Sequence, residues 1–305
     1  MSRYEEFEAF VRTVEANSFT AAAQQLGVAK SAISRRVSDL EHRLGTQLII
    51  RSTRALSLTE AGTTLFYQAK HLLEDWLEAE CAARDDHSAL TGTIRFAAPL
   101  SFGIDHLGPA LIAFQASHPG IFLDVDFSDR QVDLTAEGID LAVRIGQLRD
   151  SSLVARKLAP VRMIAAASPD FLKAHGTPKT VADLRGMKEL KYSNRPDISW
   201  TFQAPDGDRH TVSLVAAMRS SNGQFIKEAA IAGQGLTIQP NFILYDALRD
   251  GRLVQLLSDH QLDEIGIYAV YPQTRHLSLR VRALVDHLAS HCGDAPYWDN
   301  WTVVS

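Results

Sequence analysis

Apolar residues recur every three to four positions through the first 58 residues, the spacing of helices that each bury one face. Phe7, Phe10, Val11 and Val14 mark one such stripe over residues 5–15. Ala22, Ala23 and Leu26 line a second, short helix, which Gly27 can end in the left-handed conformation while Val28 plugs the corner. Ile33, Val37, Leu40 and Leu44 line a third and leave Lys30, Ser31, Ser34, Arg35 and Ser38 facing outward. Two helices around a tight turn, at about 19–38, with another packed beneath, make a helix-turn-helix whose outward face suits a DNA major groove. The competing reading is an all-α core in which the arginines form a solvated face. Residues 47–59, β-branched and apolar with Arg51, Thr53 and Arg54, predict a short β wing.

Thr59 can cap a helix running to about His87, with Leu65, Ala69, Leu72, Leu73, Trp76, Leu77 and Ala83 as its apolar stripe. Such a helix is roughly 40 Å long, more than the small winged module can bury. It therefore packs either along the rest of its own chain or against a second subunit. From Thr91 the period changes. Strands are predicted at 93–98, 121–127, 140–145, 162–167, 212–215, 236–239 and 265–271. Helices alternate with them, from about Asp105 to before Pro119, then at 169–175, 224–232, 240–248 and 279–289, with a capping box at Thr180–Asp183. This is an α/β pattern, and about two hundred residues suffice for two lobes.

Charge divides the same way. Residues 1–58 carry +2 within a chain of net charge −5, and the basic side chains concentrate between Lys30 and Arg54, where they can engage phosphates. An acidic remainder weakens nonspecific attachment, so specific binding calls for two modules at once, a dimer.

The ordered set Phe19-Thr-Ala-Ala-Ala23, Leu26-Gly27-Val28, Ala32-Ile33-Ser34-Arg35, Leu40-Glu41, Leu44-Gly45, Leu48, Arg51 and Leu58-Thr59-Glu60-Ala61-Gly62 resembles the LysR-type transcriptional regulators. The resemblance continues to about His291, nearest to the subgroup with Ser101-Phe102-Gly103 after the first strand and Asp140-Leu-Ala-Val-Arg-Ile-Gly146. It implies a winged helix-turn-helix at 1–58 and a linker helix at 59–90 that pairs antiparallel with a second subunit's. It also implies a two-lobed, type II periplasmic-binding-protein-like effector domain at 91–291 and a tail at 292–305. The chain would cross between lobes near 165–168 and 268–271, giving lobe one as 92–164 plus 270–291 and lobe two as 168–266. The function implied is that of a ligand-responsive regulator, a dimer of dimers on promoter DNA, with RNA polymerase as a further partner. Lys30, Ser31, Ser34 and Arg35 would face the groove, and Arg51, Thr53 and Arg54 the phosphates or minor groove. Ala29 stands where a capping serine is common, and Ser31 is its candidate replacement.

A ligand would sit where strand ends and helix N-termini converge between the lobes. The strand-to-helix rule places Ser101, Ser168, Ser221, Asn222, Gln239 and Pro240 there, each of which is also readable as a plain helix cap. Ser101 with the N–H groups of Phe102 and Gly103 would face a carboxylate. Arg130 and Arg144 are candidate charge partners, each also readable as half of a surface ion pair, and Phe102, Ile145, Gly146 and Trp200 are candidate walls for an aromatic carboxylate.

No cofactor is expected. Cys81 and Cys292 lack a close partner in sequence, and His287 and His291 beside Cys292 read as dipole-complementing histidines ahead of a metal site. The start Met-Ser-Arg-Tyr-Glu-Glu-Phe-Glu has no apolar leader and no run reaches membrane-spanning length, so a cytoplasmic protein is expected. Two rivals share the cleft, a solute-binding protein and an enzyme, and neither an acid–base pair nor a nucleophile constellation presents itself. Tyr297, Trp298 and Trp301 lie beyond the resembled fold and would be free to pack against a neighbouring subunit.

Overall fold

A computed structural model describes residues 2–51, 56–83, 90–130, 132–147, 153–194, 199–273 and 277–301. The N-terminal module comprises α1 (Arg3–Glu15), α2 (Phe19–Gln25), α3 (Lys30–Leu44) and an antiparallel pair, β1 (Ile49–Arg51) with β2 (Leu56–Leu58). The Ser18 hydroxyl accepts from the Ala21 N–H at 3.3 Å and starts α2. Gly27 and Gly45 take φ of 64° and 67°, the left-handed values that turn the chain after α2 and α3. Phe10, Ala22, Ala23, Ile33, Val37 and Leu40 make the core. Leu44 does not join them: it is 41% exposed, because the chain leaves α3 at Gly45 and Leu48 and Ile49 close the core from the wing. The Glu41 carboxylate pins that return, accepting from the Leu48 and Ile49 amides at 2.8 and 3.1 Å. No side chain caps α3 at Ala29, and Ser31, already inside the first turn, does not replace the missing serine.

Helix α4 (Glu60–Ala83) starts at Thr59, whose hydroxyl accepts from the Gly62 N–H at 2.9 Å. The expected end near His87 lies outside the described residues. At 24 residues the helix is about 36 Å long, and its apolar stripe divides. Leu65, Ala69 and Leu73 pack into the N-terminal core, while Leu72, Trp76 and Leu77 stay exposed. The helix also meets its own effector domain, through His71 to Asp140 at 3.1 Å and Glu74 to the buried Arg280 at 2.9 Å.

The first lobe is a five-stranded sheet. Its strands are β3 (Gly92–Ala98), β4 (Ile121–Phe127), β5 (Leu141–Gly146) and β6 (Leu153–Val161), with the returning Ile265–Pro272 between β5 and β6. It carries α5 (Leu100–Phe102), a π-helical turn at Gly103–Leu107, α6 (Gly108–Ser117) and α7 (Leu134–Glu137). The helix expected from Asp105 thus begins at Leu100, straight after Pro99, which supplies the extended residue before it. The second lobe is a sheet of β7 (Met163–Ala167), β8 (Lys188–Tyr192), β11 (Val215–Ser220), β12 (Leu236–Pro240) and β13 (Val254–Gln255). It is flanked by α8 (Pro169–His175), α9 (Gly223–Ile231) and α10 (Asn241–Arg249), and by a three-stranded sheet of β9 (Trp200–Gln203), β10 (Arg209–Val212) and β14 (Gln261–Leu262). The returning strand is β15, and α11 (Leu279–Cys292) follows it.

Two sequence expectations change here. Residues 212–215 are not one strand: β10 ends at Val212 and β11 begins at Val215, in different sheets. All of β7 belongs to the second sheet and all of β15 to the first, so the chain crosses at Arg162 and at residues 263–264 and not within 165–168 and 268–271. The strand pairing that decides this is long-range.

Candidate functional site

Two places combine exposed chemistry with a defined shape. The first is the outer face of α3, where Lys30, Ser31 and Arg35 are exposed and Ser34 is half-buried. Arg35 stays in reach of solvent, with Asp39 one turn on at 3.9 Å. Arg36 and Arg43 turn inward, to Glu5 at 3.2 Å and Glu6 at 2.7 Å on α1, and hold α3 against its support. The exposed basic side chains are thus separated from those that brace the fold. Arg51 ends β1 in the wing, while Thr53 and Arg54 fall outside the described residues.

The second is a cavity of about 430 Å³ between the lobes. Ser101, Phe102, Ile145 and Gly146 line it from lobe one, and Trp200, Gln239 and Pro240 from lobe two. The sequence did not single out Asp129, Lys191, Tyr192, Asn194 and Asp263, which also line it. Arg130, Ser221 and Asn222 belong to an adjoining hollow of about 400 Å³ that shares Asp129 and Asn194. Arg130 is held there by Asp126 and Glu137 at 2.9 and 2.6 Å, and the Asn222 carboxamide accepts from the Phe225 N–H as a helix cap. Arg144 donates to the Val132 carbonyl and lines neither space.

Ser168 is a correction. It is buried, caps α8 by accepting from the Phe171 N–H, and lines neither space. The reason is strand direction: β7 runs antiparallel to β12, with Met163 opposite Pro240, so its C-terminal end points away from the cleft edge that Gln239 and Pro240 reach. The helix start near Ser101 is also less open than expected. The Leu100 amide donates to Asp129 Oδ1 at 3.0 Å and the Gly103 amide to the Pro99 carbonyl at 2.7 Å, which takes Gly103 out of the anion-facing set.

Polar groups in the walls are oriented from behind. The Trp200 indole donates to the buried Glu189 carboxylate at 2.8 Å. Gln239 is buried and its amide Nε2 donates to the Gly223 carbonyl at 3.2 Å, leaving the buried Oε1 with no hydrogen-bond partner among the described residues. A side chain at position 223 would put a Cβ 2.5 Å from Ile243 Cδ1 and 2.9 Å from that oxygen, so both side-chain ends would have to shift and the wall would be reshaped. Burial, reinforced by Asp129, pushes the Tyr192 phenol above its ordinary pKa and keeps it neutral. Asn194 bridges the mouth, donating to the Asp129 carbonyl at 3.1 Å.

His287 and His291 are engaged elsewhere, their Nε2 atoms 2.9 and 3.0 Å from the Ala110 and His106 carbonyls. Among the described residues no group of three or more His, Cys, Asp or Glu could hold a metal ion, and no helix is long and apolar enough to cross a membrane.

Two family models match the chain: the bacterial regulatory helix-turn-helix protein, lysR family, over residues 4–63, and the LysR substrate binding domain over residues 87–293. The chain is similar to the HTH-type transcriptional regulator PtxR of Pseudomonas aeruginosa, 35% identical over 292 residues that make up 95% of this chain and 93% of that one. It is also similar to the solved structure of CrgA, a LysR-type transcriptional regulator from Neisseria meningitidis, with a TM-score of 0.61 at 31% identity, covering 95% of this chain and 99% of that one. The full-length Vibrio cholerae virulence activator AphB gives a TM-score of 0.58 at 30% identity, with the same 95% and 99% coverage. The chain belongs to the LysR family: it is a ligand-responsive transcriptional regulator, with a helix-turn-helix followed by a two-lobed effector-binding domain. Its relatives are regulators and not enzymes, and the catalytic reading of the cleft falls with that.

Proposed function

We propose that this regulator binds promoter DNA in the cytoplasm as a dimer of dimers, reads bases with Lys30, Ser31, Ser34 and Arg35, and changes its promoter geometry and its contact with RNA polymerase when a small carboxylate with an apolar or aromatic body fills the interlobe cavity. The observation that carries the cleft reading is that both lobes contribute walls to one cavity of about 430 Å³, within the range of small-molecule sites. Phe102, Tyr192 and Trp200 supply aromatic walls and Lys191 a positive charge. Of the two acids in the lining, Asp129 accepts from the Leu100 amide and Asp263 pairs with Arg209 at 3.2 Å, so each has a counterpart in the protein. The exposed Leu72, Trp76 and Leu77 on α4 suit pairing with the same helix of a second subunit. A ligand that prefers one interlobe arrangement shifts its population and re-spaces the DNA-binding modules.

Thermal-shift screening of the full-length protein with matched carboxylates and carboxamides tests the effector class, since a ligand bound only by the folded state raises its melting temperature. Carboxylates are expected to raise it and their amides not; shifts from the amides alone would overturn the anionic assignment and keep the cleft. With a carboxylate hit, Ser101→Ala should cost about 1.5–3 kcal/mol of its affinity, the range for a hydrogen bond to a charged group, with DNA binding of the free protein unchanged.

Lysine donates to guanine O6 or N7, where the glutamine common in the family would suit adenine. Lys30→Gln is therefore expected to alter base preference at one position of the half-site by about 1–3 kcal/mol. Selection of binding sites from a randomised pool checks this, and an unchanged profile would remove Lys30 from the reading set.

A further inference from the structure

Residues 294–301 lie beyond the match to the substrate-binding model, which ends at 293. The sequence left them free for a neighbouring subunit, but the structure packs them into their own chain. After Gly293 the segment turns back and forms a 3-10 turn at Tyr297–Asp299. Trp298 is 0% exposed, with its ring centroid 5.6 Å from Phe102 and 4.9 Å from His106, both on lobe one. Tyr297 packs edge-on to Tyr245 of α10, on lobe two, at 5.6 Å. Asp299 pairs with Arg162, the crossing residue, at 3.0 Å, and accepts from the Asn241 carboxamide at the start of α10. Trp301 lies under the Arg162 guanidinium at 4.9 Å, and its indole donates to Gln255 of β13 at 3.2 Å.

His106, in the π-helical turn, ties these together. Its Nε2 is 3.1 Å from the Phe242 carbonyl, which only accepts, so the ring proton sits on Nε2. Nδ1 is then an acceptor, and the Tyr297 hydroxyl donates to it at 2.5 Å. One imidazole therefore joins lobe one, the backbone of lobe two and the C-terminal segment. Phe102 and Phe242, which the segment backs directly or through His106, are both cavity walls.

We infer that residues 294–301 form a strap that positions the cleft walls, Phe102 from behind in lobe one and α10 in lobe two, and holds the angle between the lobes. Two backbone crossings alone leave an interlobe rotation free to be populated. The strap adds a third bridge that touches lobe one, the crossing at Arg162 and lobe two, and so biases which arrangement the empty protein occupies. Tyr297, Trp298, Asp299 and Trp301 are positioning residues, because none of them lines the cavity. The bearing of the strap on effector response rests on the cleft reading above, whereas its bearing on lobe geometry does not.

Hydrogen exchange of the full-length protein without ligand, read by mass spectrometry, tests the strap separately from any effector. Asp299→Ala combined with Trp301→Ala removes the bridge to Arg162 and Gln255 and leaves buried Trp298 in place. Exchange in peptides covering 99–107 and 238–245 is expected to rise about tenfold, while the centre of the first sheet at 94–97 and the DNA-binding module at 3–44 keep parental rates. A rise confined to 294–301, or one spread evenly through lobe one, would overturn the proposal and leave the segment a stability patch. Tyr297→Phe, which deletes only the hydroxyl on His106, guards against misfolding of the double variant. It should raise exchange in the same two peptides by a smaller factor, and parental rates there would likewise overturn the assignment.

Discussion

Acidification from pH 7 to pH 4 is expected to cost the effector domain on the order of 3 kcal/mol through His106 alone, from the pKa difference at 1.36 kcal/mol per unit. Burial pushes this imidazole down to about 4, against an upward pull from its hydrogen bond to the Phe242 carbonyl and from Asp105, with His291 and Lys227 adding small downward effects. The sign follows from proton counts. Between about 6.5 and about 4 the unfolded chain binds a proton at His106 that the native state refuses, so stability falls as pH falls through that window. Above it the contribution is complete, and below it the residue adds no further slope. His71, which burial pulls down but which its hydrogen bond and charge pairing with Asp140 raise on balance, acts in the opposite sense, contributing stability at low pH that is lost as pH rises past its folded value. The comparison that isolates His106 is therefore parent against His106→Gln, in which the amide can still donate to Phe242 and accept from Tyr297. Urea midpoints measured at several pH values should show the loss between pH 6.5 and 4 reduced by about 3 kcal/mol in the variant. Parallel curves would mean that His106 is hydrated or charged in the native state.

The N-terminal module was legible because each of its decisions is local. A glycine sits where φ must be positive, a serine where α2 needs its cap, and apolar spacing marks each buried face. The strands at 93–98 and 121–127 were readable for the same reason, as apolar runs bounded by turns. Strand β8, Lys188–Tyr192, was not. Its Glu189 is buried only because the Trp200 indole arrives from β9 to meet it, a partnership that local pattern does not record.

The cleft shows the same boundary. The expectation that a serine between strand and helix lies at the cleft puts Ser101 on the cavity wall, where β3 runs parallel to its neighbours β4 and β5. It failed at Ser168, because β7 runs the other way from β12, and strand direction is a property of the sheet. Lys191, Tyr192 and Asn194 went unnoticed with the strand that carries the first two. The packing of the tail onto its own chain is hidden from local pattern for a related reason: Trp298 and Tyr297 extend past the family match, and their partners Phe102, His106 and Tyr245 lie 50 to 200 residues earlier.

Gly62→Ala should abolish DNA binding while leaving the effector domain folded. A Cβ at position 62 would lie 2.0 Å from the Leu48 carbonyl oxygen and 2.9 Å from its carbon, both backbone atoms. That carbonyl cannot swing aside. It accepts from the Thr59 amide at 3.0 Å, and the Leu48 amide on its other side is tied to Glu41 at 2.8 Å. Relief therefore requires α4 to move away from the wing, which pulls Leu65 and Ala69 from the N-terminal core. The expected cost is about 3 kcal/mol or more, at or beyond the usual range for overpacking a core. Gly27→Ala provides the contrast, since its φ of 64° is unfavourable to alanine but nothing lies within 4 Å of the added carbon. It should cost about 1–2 kcal/mol, the backbone term alone. Fluorescence anisotropy with promoter DNA and urea unfolding of the full-length variants measure both effects. If Gly62→Ala costs no more than Gly27→Ala, the start of α4 does not abut the Leu48 carbonyl closely enough for position 62 to need glycine.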